Sequence, residues 1–156
     1  AGAAAHASGS RPVTGEPRID TLLPHAGRMC LLERIVSWDD AGVTLATTTH
    51  RDPANPLARD GRLRAIHLCE YGAQAMAVHG GLLALARGER ARPGLLVSLR
   101  DVVLACDFIE DLEGELLVEA MRVHGGAEAW QYDFRVSHEG RPLAHGRATV
   151  SLASAT

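Results

Sequence analysis

Residues 65–87 form one long stretch that reads as a helix and is apolar or small on almost every side. A helix without a polar face cannot lie on a surface and has to be enclosed. Ala, Leu and Met dominate it, and Gly88 stands just past its end as a C-cap candidate. Gly72, Gly80 and Gly81 lower its intrinsic propensity. They suit a helix that a sheet approaches closely, so the rest of the chain is expected to supply the enclosure.

That remainder reads as strands. Residues 29–38 (MCLLERIVSW) and 43–49 (VTLATTT) flank the turn Asp39-Asp40-Ala41-Gly42 and predict a hairpin. After the helix, residues 95–108, 115–123, 127–136 and 143–152 read as four more strands with Gly-containing turns between them. Before the first strand, 19–23 predicts one helical turn with Asp20 as its cap and Pro24 as its stop. Residues 50–64 (HRDPANPLARDGRLR) predict a long ordered loop, a kind of segment that often carries function. Strand, strand, long buried helix, four strands is an α+β order. A curved antiparallel sheet wrapped around one long buried helix satisfies both patterns.

With 156 residues, 46% of them hydrophobic, the chain suits one domain, expected over 18–156. Residues 1–17, rich in Ala, Gly, Ser and Pro, are expected to be a disordered tail rather than a signal peptide. A net charge of −3 offers no basic excess for nucleic acid. No apolar run approaches the roughly 18 residues that span a bilayer, so no membrane association is expected. Cys30, Cys69 and Cys106 are odd in number and form no CxxC pair, which favours a reducing, cytoplasmic setting over a disulfide framework. Neither GxGxxG, GxxxxGK[ST] nor Gly-x-Ser-x-Gly occurs, so hydride transfer, phosphoryl transfer and serine hydrolysis have no visible apparatus. No His or Cys pair has metal-ligand spacing.

Three stretches, in order, carry a resemblance. Leu23-Pro24-His25 precedes Met29-Cys30-Leu31-Leu32-Glu33-Arg34-Ile35-Val36. Glu70-Tyr71-Gly72-Ala73-Gln74 opens the helix with a Glu-x-x-x-Gln pattern among small residues. Arg100-Asp101-Val102 leads towards Asp111-Leu112-Glu113-Gly114-Glu115. Together they resemble the FabZ-type 3-hydroxyacyl-carrier-protein dehydratases of the hotdog fold, and most of all the dehydratase-like branch associated with aryl-polyene synthesis. The resemblance runs from about residue 19 to 151. It implies conversion of 3-hydroxyacyl thioesters to 2-enoyl thioesters in fatty-acid or polyene-type biosynthesis. The substrate would hang on the phosphopantetheine of an acyl carrier protein, with no further cofactor. It also implies assembly as a homodimer, or as a heterodimer with a hotdog paralogue, with the base of one protomer facing the acid of the other.

Such an elimination needs a base for the C2 proton, an acid for the departing 3-hydroxyl and donors for the thioester carbonyl. The segment His50-Arg51-Asp52-Pro53-Ala54-Asn55-Pro56 resembles the family's His loop, which gives His50 the base role and Glu70 the acid role. This chain departs from the pattern. Thr49 and Ala54 stand where the family has Gly, the second Pro-Gly is absent, and His50 to Glu70 spans 20 residues, several more than usual.

Each assignment has a blander rival. His50 in a polar loop reads equally as a solvated imidazole, and Glu70 as a solvent-facing carboxylate that suits the helix dipole. His67, three residues before Glu70 and on its face of the helix, is the alternative base. Gln74, four residues after Glu70, orients that carboxyl or bonds a loop backbone. Cys69 reads as a small buried residue, His79 as a satisfied core imidazole, and His124, His138 and His145 as solvated. Two competing functions stay open: a thioesterase on the same fold, with Glu70 activating water, and a non-catalytic or half-site subunit of a heteromeric dehydratase.

Overall fold

A computed structural model of the chain describes residues 17–23 and 27–154. The expected tail and the Pro24-His25 pair of the opening motif lie outside the described residues. The helices are α1 (Ile19–Leu22) and α2 (Leu68–Ala86), and the strands are β1 (Arg34–Trp38), β2 (Gly42–Thr47), β3 (Gly94–Leu104), β4 (Leu116–Gly125), β5 (Ala129–His138) and β6 (Arg141–Leu152). They form one sheet in the order β1-β2-β4-β5-β6-β3, antiparallel at every pairing. α2 packs on it, against β2, β4, β5 and β6. The expected α+β arrangement is the one observed.

α2 presents Leu68, Tyr71, Ala75, Val78 and Leu82 to the sheet, all fully buried or nearly so. Aromatics are scarce, and the packing turns on Phe134 of β5. A Cβ at Gly72 of α2 would lie 2.7 Å from that ring, and one at Gly146 of β6 would lie 2.8 Å from it. The ring is therefore gripped between helix and strand at two places where only glycine leaves room. Gly81 serves a different neighbour from the one expected: its Cβ would meet Leu22 of α1 at 2.9 Å, not the sheet. The helix ends as predicted. Gly88 has φ +68°, Gly88 N–H donates to Leu85 at 3.0 Å and Glu89 N–H to Ala84 at 2.9 Å, a Schellman closure.

α2 is not enclosed all round. Glu70, Ala73, Ala77, Gly80 and Ala84 make a half-exposed stripe along it. β3, at the sheet edge, exposes apolar side chains on both faces: Leu95 is 69% exposed, Val97 54% and Leu96 39%. A long apolar edge strand is a template for pairing with another chain.

Three local expectations need correction. Asp20 does not cap α1. Arg18 holds the N-cap position, and Asp20, inside the first turn, takes the Arg18 guanidinium at 2.5 Å. The first strand starts at Arg34, not at residue 29, because residues 27–29 form a 3-10 turn and the backbone of Leu31 bonds side chains instead of a neighbouring strand. The helical stretch begins with a 3-10 turn, Ala65–His67, and becomes α-helical only at Leu68.

Those bonds to Leu31 belong to a buried polar knot that fixes the 50–64 loop. The Leu31 carbonyl accepts from Thr47 Oγ1 at 2.6 Å and Thr49 Oγ1 at 2.7 Å. Thr49 Oγ1 also meets the Tyr71 hydroxyl at 2.9 Å. Asn55 Nδ2 donates to the Thr49 carbonyl at 2.9 Å and to Tyr71 Oη at 3.1 Å. Glu33 caps the turn that follows β2, accepting from the Thr48 amide and from Thr48 Oγ1 at 2.8 Å. Tyr71 is fully buried and Asn55 6% exposed, so water does not compete for the bond between them, while Thr49 is half-buried and the Glu33–Thr48 cap is exposed.

Two predictions follow from this packing. Gly72→Val and Gly146→Val each overpack Phe134 and lower unfolding free energy by about 1–3 kcal/mol in denaturant titration. Tyr71→Phe keeps the ring but strands the Asn55 and Thr49 groups, costing about 1–3 kcal/mol. Its backbone amides at 50–58 then exchange faster than wild type, while those of β5 and β6 do not.

Candidate functional site

His50 sits in a short 3-10 turn, Thr49–Arg51, directly after the Thr47–Thr49 anchor. Its ring is 1% exposed, so it is not the solvated loop histidine of the bland reading. Nε2 lies 2.7 Å from the Leu112 carbonyl. A carbonyl oxygen only accepts, so Nε2 carries the proton and Nδ1 is the lone-pair nitrogen. Nδ1 is buried and has no hydrogen-bond partner among the described residues. Burial holds the His50 pKa below the ordinary imidazole value, and His138 and Arg51 push the same way, against the opposing Leu112 bond and Glu33. The imidazole is therefore neutral at pH 7, with an unsatisfied acceptor in a dry setting. His138, expected to meet water, bonds the next carbonyl: its Nε2 is 2.6 Å from Glu113 O. Two imidazoles thus hold consecutive carbonyls of the turn before β4.

Glu70 lies in the first turn of α2, half-buried. Its Oε1 accepts from Gln74 Nε2 at 3.2 Å. Gln74, 3% exposed, also donates to the Met29 carbonyl at 2.6 Å and accepts from Leu31 N–H at 2.9 Å. It therefore bonds both the Glu70 carboxyl and the backbone that leads into β1. His67 occupies the N-cap position of α2, half-buried, and makes no side-chain cap bond. Cys69 is half-buried, and burial raises its thiol pKa, which favours the inert thiol over the nucleophilic thiolate.

Among the described residues no hydrogen bond or ion pair joins His50 to Glu70 within one chain. They are linked only indirectly, through Gln74, Leu31 and Thr49. A groove of about 330 Å³ beside α1 is lined by Arg18, Ile19, Cys30, Leu32 and Arg34 among others, and by none of the four candidate residues.

His79 matches its expectation. It is fully buried, with Nε2 2.9 Å from the Asp39 carbonyl and Nδ1 2.8 Å from the Tyr132 hydroxyl. Among the described residues no group of three or more His, Cys, Asp or Glu is placed to hold a metal, and no helix is long and apolar enough to cross a membrane. Thr47, Asn55 and Tyr71, which hold the His50 turn, were not singled out from the sequence. Asn55 and Tyr71 lie inside quoted motifs, but their pairing with each other and with Thr49 joins different segments and leaves no mark in the sequence.

A solved dehydratase heterocomplex, ApeI:P from Xenorhabdus doucetiae, is similar with a TM-score of 0.80 and 25% identity, over 89% of this chain and 93% of that one. AziG of S. sahachiroi is similar in fold with a TM-score of 0.58 at 16% identity, over 81% and 94% of the two chains. A mutant thioesterase from Pseudomonas aeruginosa has a TM-score of 0.57 at 16% identity, over 77% and 80%. These neighbours share the hotdog fold. No curated protein sequence matches this one. Residues 17–155 match the ApeP-like family, described as ApeP dehydratase, and with nearly the whole chain covered the protein belongs to that dehydratase family.

Proposed function

We propose that the protein dehydrates 3-hydroxyacyl thioesters carried on the phosphopantetheine arm of an acyl carrier protein, as one subunit of a hotdog pair. The observation that carries this reading is the lone pair on His50 Nδ1. A buried polar atom without a partner calls for an explanation. A neutral imidazole, fixed in one tautomer in a dry setting, is what removal of a weakly acidic C2 proton requires. Nδ1 takes that proton, electrons flow into the C2–C3 bond, and the 3-hydroxyl leaves as water with a proton from Glu70. The products are a 2-enoyl thioester and water, and no cofactor takes part.

The partner is a second hotdog subunit. The apolar edge of β3 and the half-exposed stripe of α2 support this, since both are surfaces that a neighbouring chain would cover. The similarity to a dehydratase heterocomplex favours a paralogue as that neighbour. His50 and Glu70 then act across the interface, each with the complementary group of the other subunit.

A second assignment of the base rests on one observation. His67 is half-exposed and stands three residues from Glu70, so it is open where His50 is sealed.

The test is turnover of a 3-hydroxyacyl pantetheine thioester, with the hotdog partner supplied. His50→Ala and Glu70→Gln each lower kcat by roughly 10²–10⁴-fold, the size of a general base or acid contribution. His67→Ala changes it by less than about threefold. Loss in His67→Ala with retention in His50→Ala moves the base to His67. Release of free acid in place of 2-enoyl thioester identifies a thioesterase. The pH profile gives a further check. The base works unprotonated and its pKa lies below the ordinary value, so the acidic limb of kcat/KM falls below about pH 6.5. A limb above that value contradicts His50 as base.

A further inference from the structure

We infer that His138 is a positioning residue, which anchors the peptide after Leu112–Glu113 and so holds the Leu112 carbonyl against the His50 ring. The inference rests on the base role proposed for His50 and adds what keeps that ring in place.

The carbonyl that fixes the His50 tautomer lies in a segment that the sheet does not hold. Residues 112–115 precede the first residue of β4 and stand outside the ladder. Gly114 has φ +81°, and glycine passes readily between left- and right-handed conformations. A peptide plane turns about its two flanking Cα atoms, so it is fixed only when the planes on both sides are fixed. On one side, Leu112 N–H donates to the Ile109 carbonyl at 3.2 Å. On the other, His138 Nε2 donates to the Glu113 carbonyl at 2.6 Å. Between these two anchored planes the Leu112 carbonyl accepts from His50 Nε2 at 2.7 Å.

His138 suits this task because its own place is rigid. It is the last residue of β5 and pairs with Arg141 of β6 across Glu139 and Gly140. Both turn residues have positive φ, +49° and +78°, in a two-residue reversal of the kind whose twist matches the strands it joins. The half-buried imidazole is thus carried on the end of the sheet, and the looser turn takes its position from it. Without that anchor the plane between Glu113 and Gly114 rotates, and the Leu112 carbonyl leaves Nε2. The His50 ring then loses the bond that keeps Nδ1 bare and aimed, and misplacement of about 1 Å can cost roughly 10²-fold in rate.

The experiment joins ring-proton exchange to a double-mutant cycle. In protein carrying 15N-labelled histidine, the Nε2–H resonance of His50 is identified by its loss in His50→Ala. In His138→Ala this proton exchanges with water at least about tenfold faster than in wild type, while the amides of β5 and β6 keep their rates. His138→Gln, which keeps an uncharged donor where Nε2 stands, restores the protection. With a 3-hydroxyacyl pantetheine thioester and the hotdog partner supplied, His138→Ala lowers kcat by roughly 10–10²-fold and changes KM far less. In a His50→Ala background it adds less than about a twofold loss, because the group it positions is gone. Wild-type protection of the ring proton in His138→Ala overturns the inference. So does an equal fall in kcat in both backgrounds, or faster exchange throughout β5 and β6, either of which marks a structural residue. Wild-type kcat in His50→Ala alone instead removes the base role, and the inference falls with it.

Discussion

The peptide backbone at Leu31 organises the site. In a simple strand its N–H and C=O would pair with a neighbouring strand. Here the N–H goes to Gln74 of α2, and the C=O goes to Thr47 and Thr49 at the end of β2. Side chains from two elements replace the ladder at the point where β1 has not yet begun. A backbone group buried without a partner costs about as much as a lost hydrogen bond, so these side chains are obligatory rather than ornamental. Through them the helix, the first hairpin and the 50–64 loop are held in one register.

The sequence patterns that repeat locally were readable. The apolar stretch at 65–87 gave a helix with its Gly88 closure, and the four later strands lie within a few residues of their expected bounds. What escaped depends on contacts between distant segments. Leu31 and Leu32 are both buried, so the start of β1 lacks the alternation that would mark its true boundary. Asp20 looked like a cap because its type favours caps, yet Arg18 captures it first. Gly81 looked like sheet-facing space and instead admits Leu22. The Thr49–Tyr71–Asn55 knot unites residues up to 22 positions apart with no shared motif. His50 was legible as a candidate from its Pro-containing context, but neither its burial nor its tautomer was. Those follow from a carbonyl 62 residues away.

The single chain also shows why a lone subunit would be an incomplete catalyst in the proposed reading. The His50 ring is buried with its Nε2 on the Leu112 carbonyl, while Glu70 lies on the half-exposed side of α2. An edge strand with Leu95, Val97 and Leu96 in water remains to be paired. Pairing along that edge would bury the apolar strand, and in the proposed reading the same assembly would complete the site. Binding and catalytic competence would then depend on one interface.

The protonation state of one imidazole is the most direct check on this account. In protein carrying 15N-labelled histidine, ring nitrogen resonances at neutral pH report which nitrogen of His50 holds the proton. The expected result is a protonated Nε2 and a bare Nδ1, with the Nδ1 signal shifting when a non-reactive 3-hydroxyacyl pantetheine analogue is added to the assembled pair. A proton on Nδ1, or a ring that ignores a saturating analogue, would contradict it.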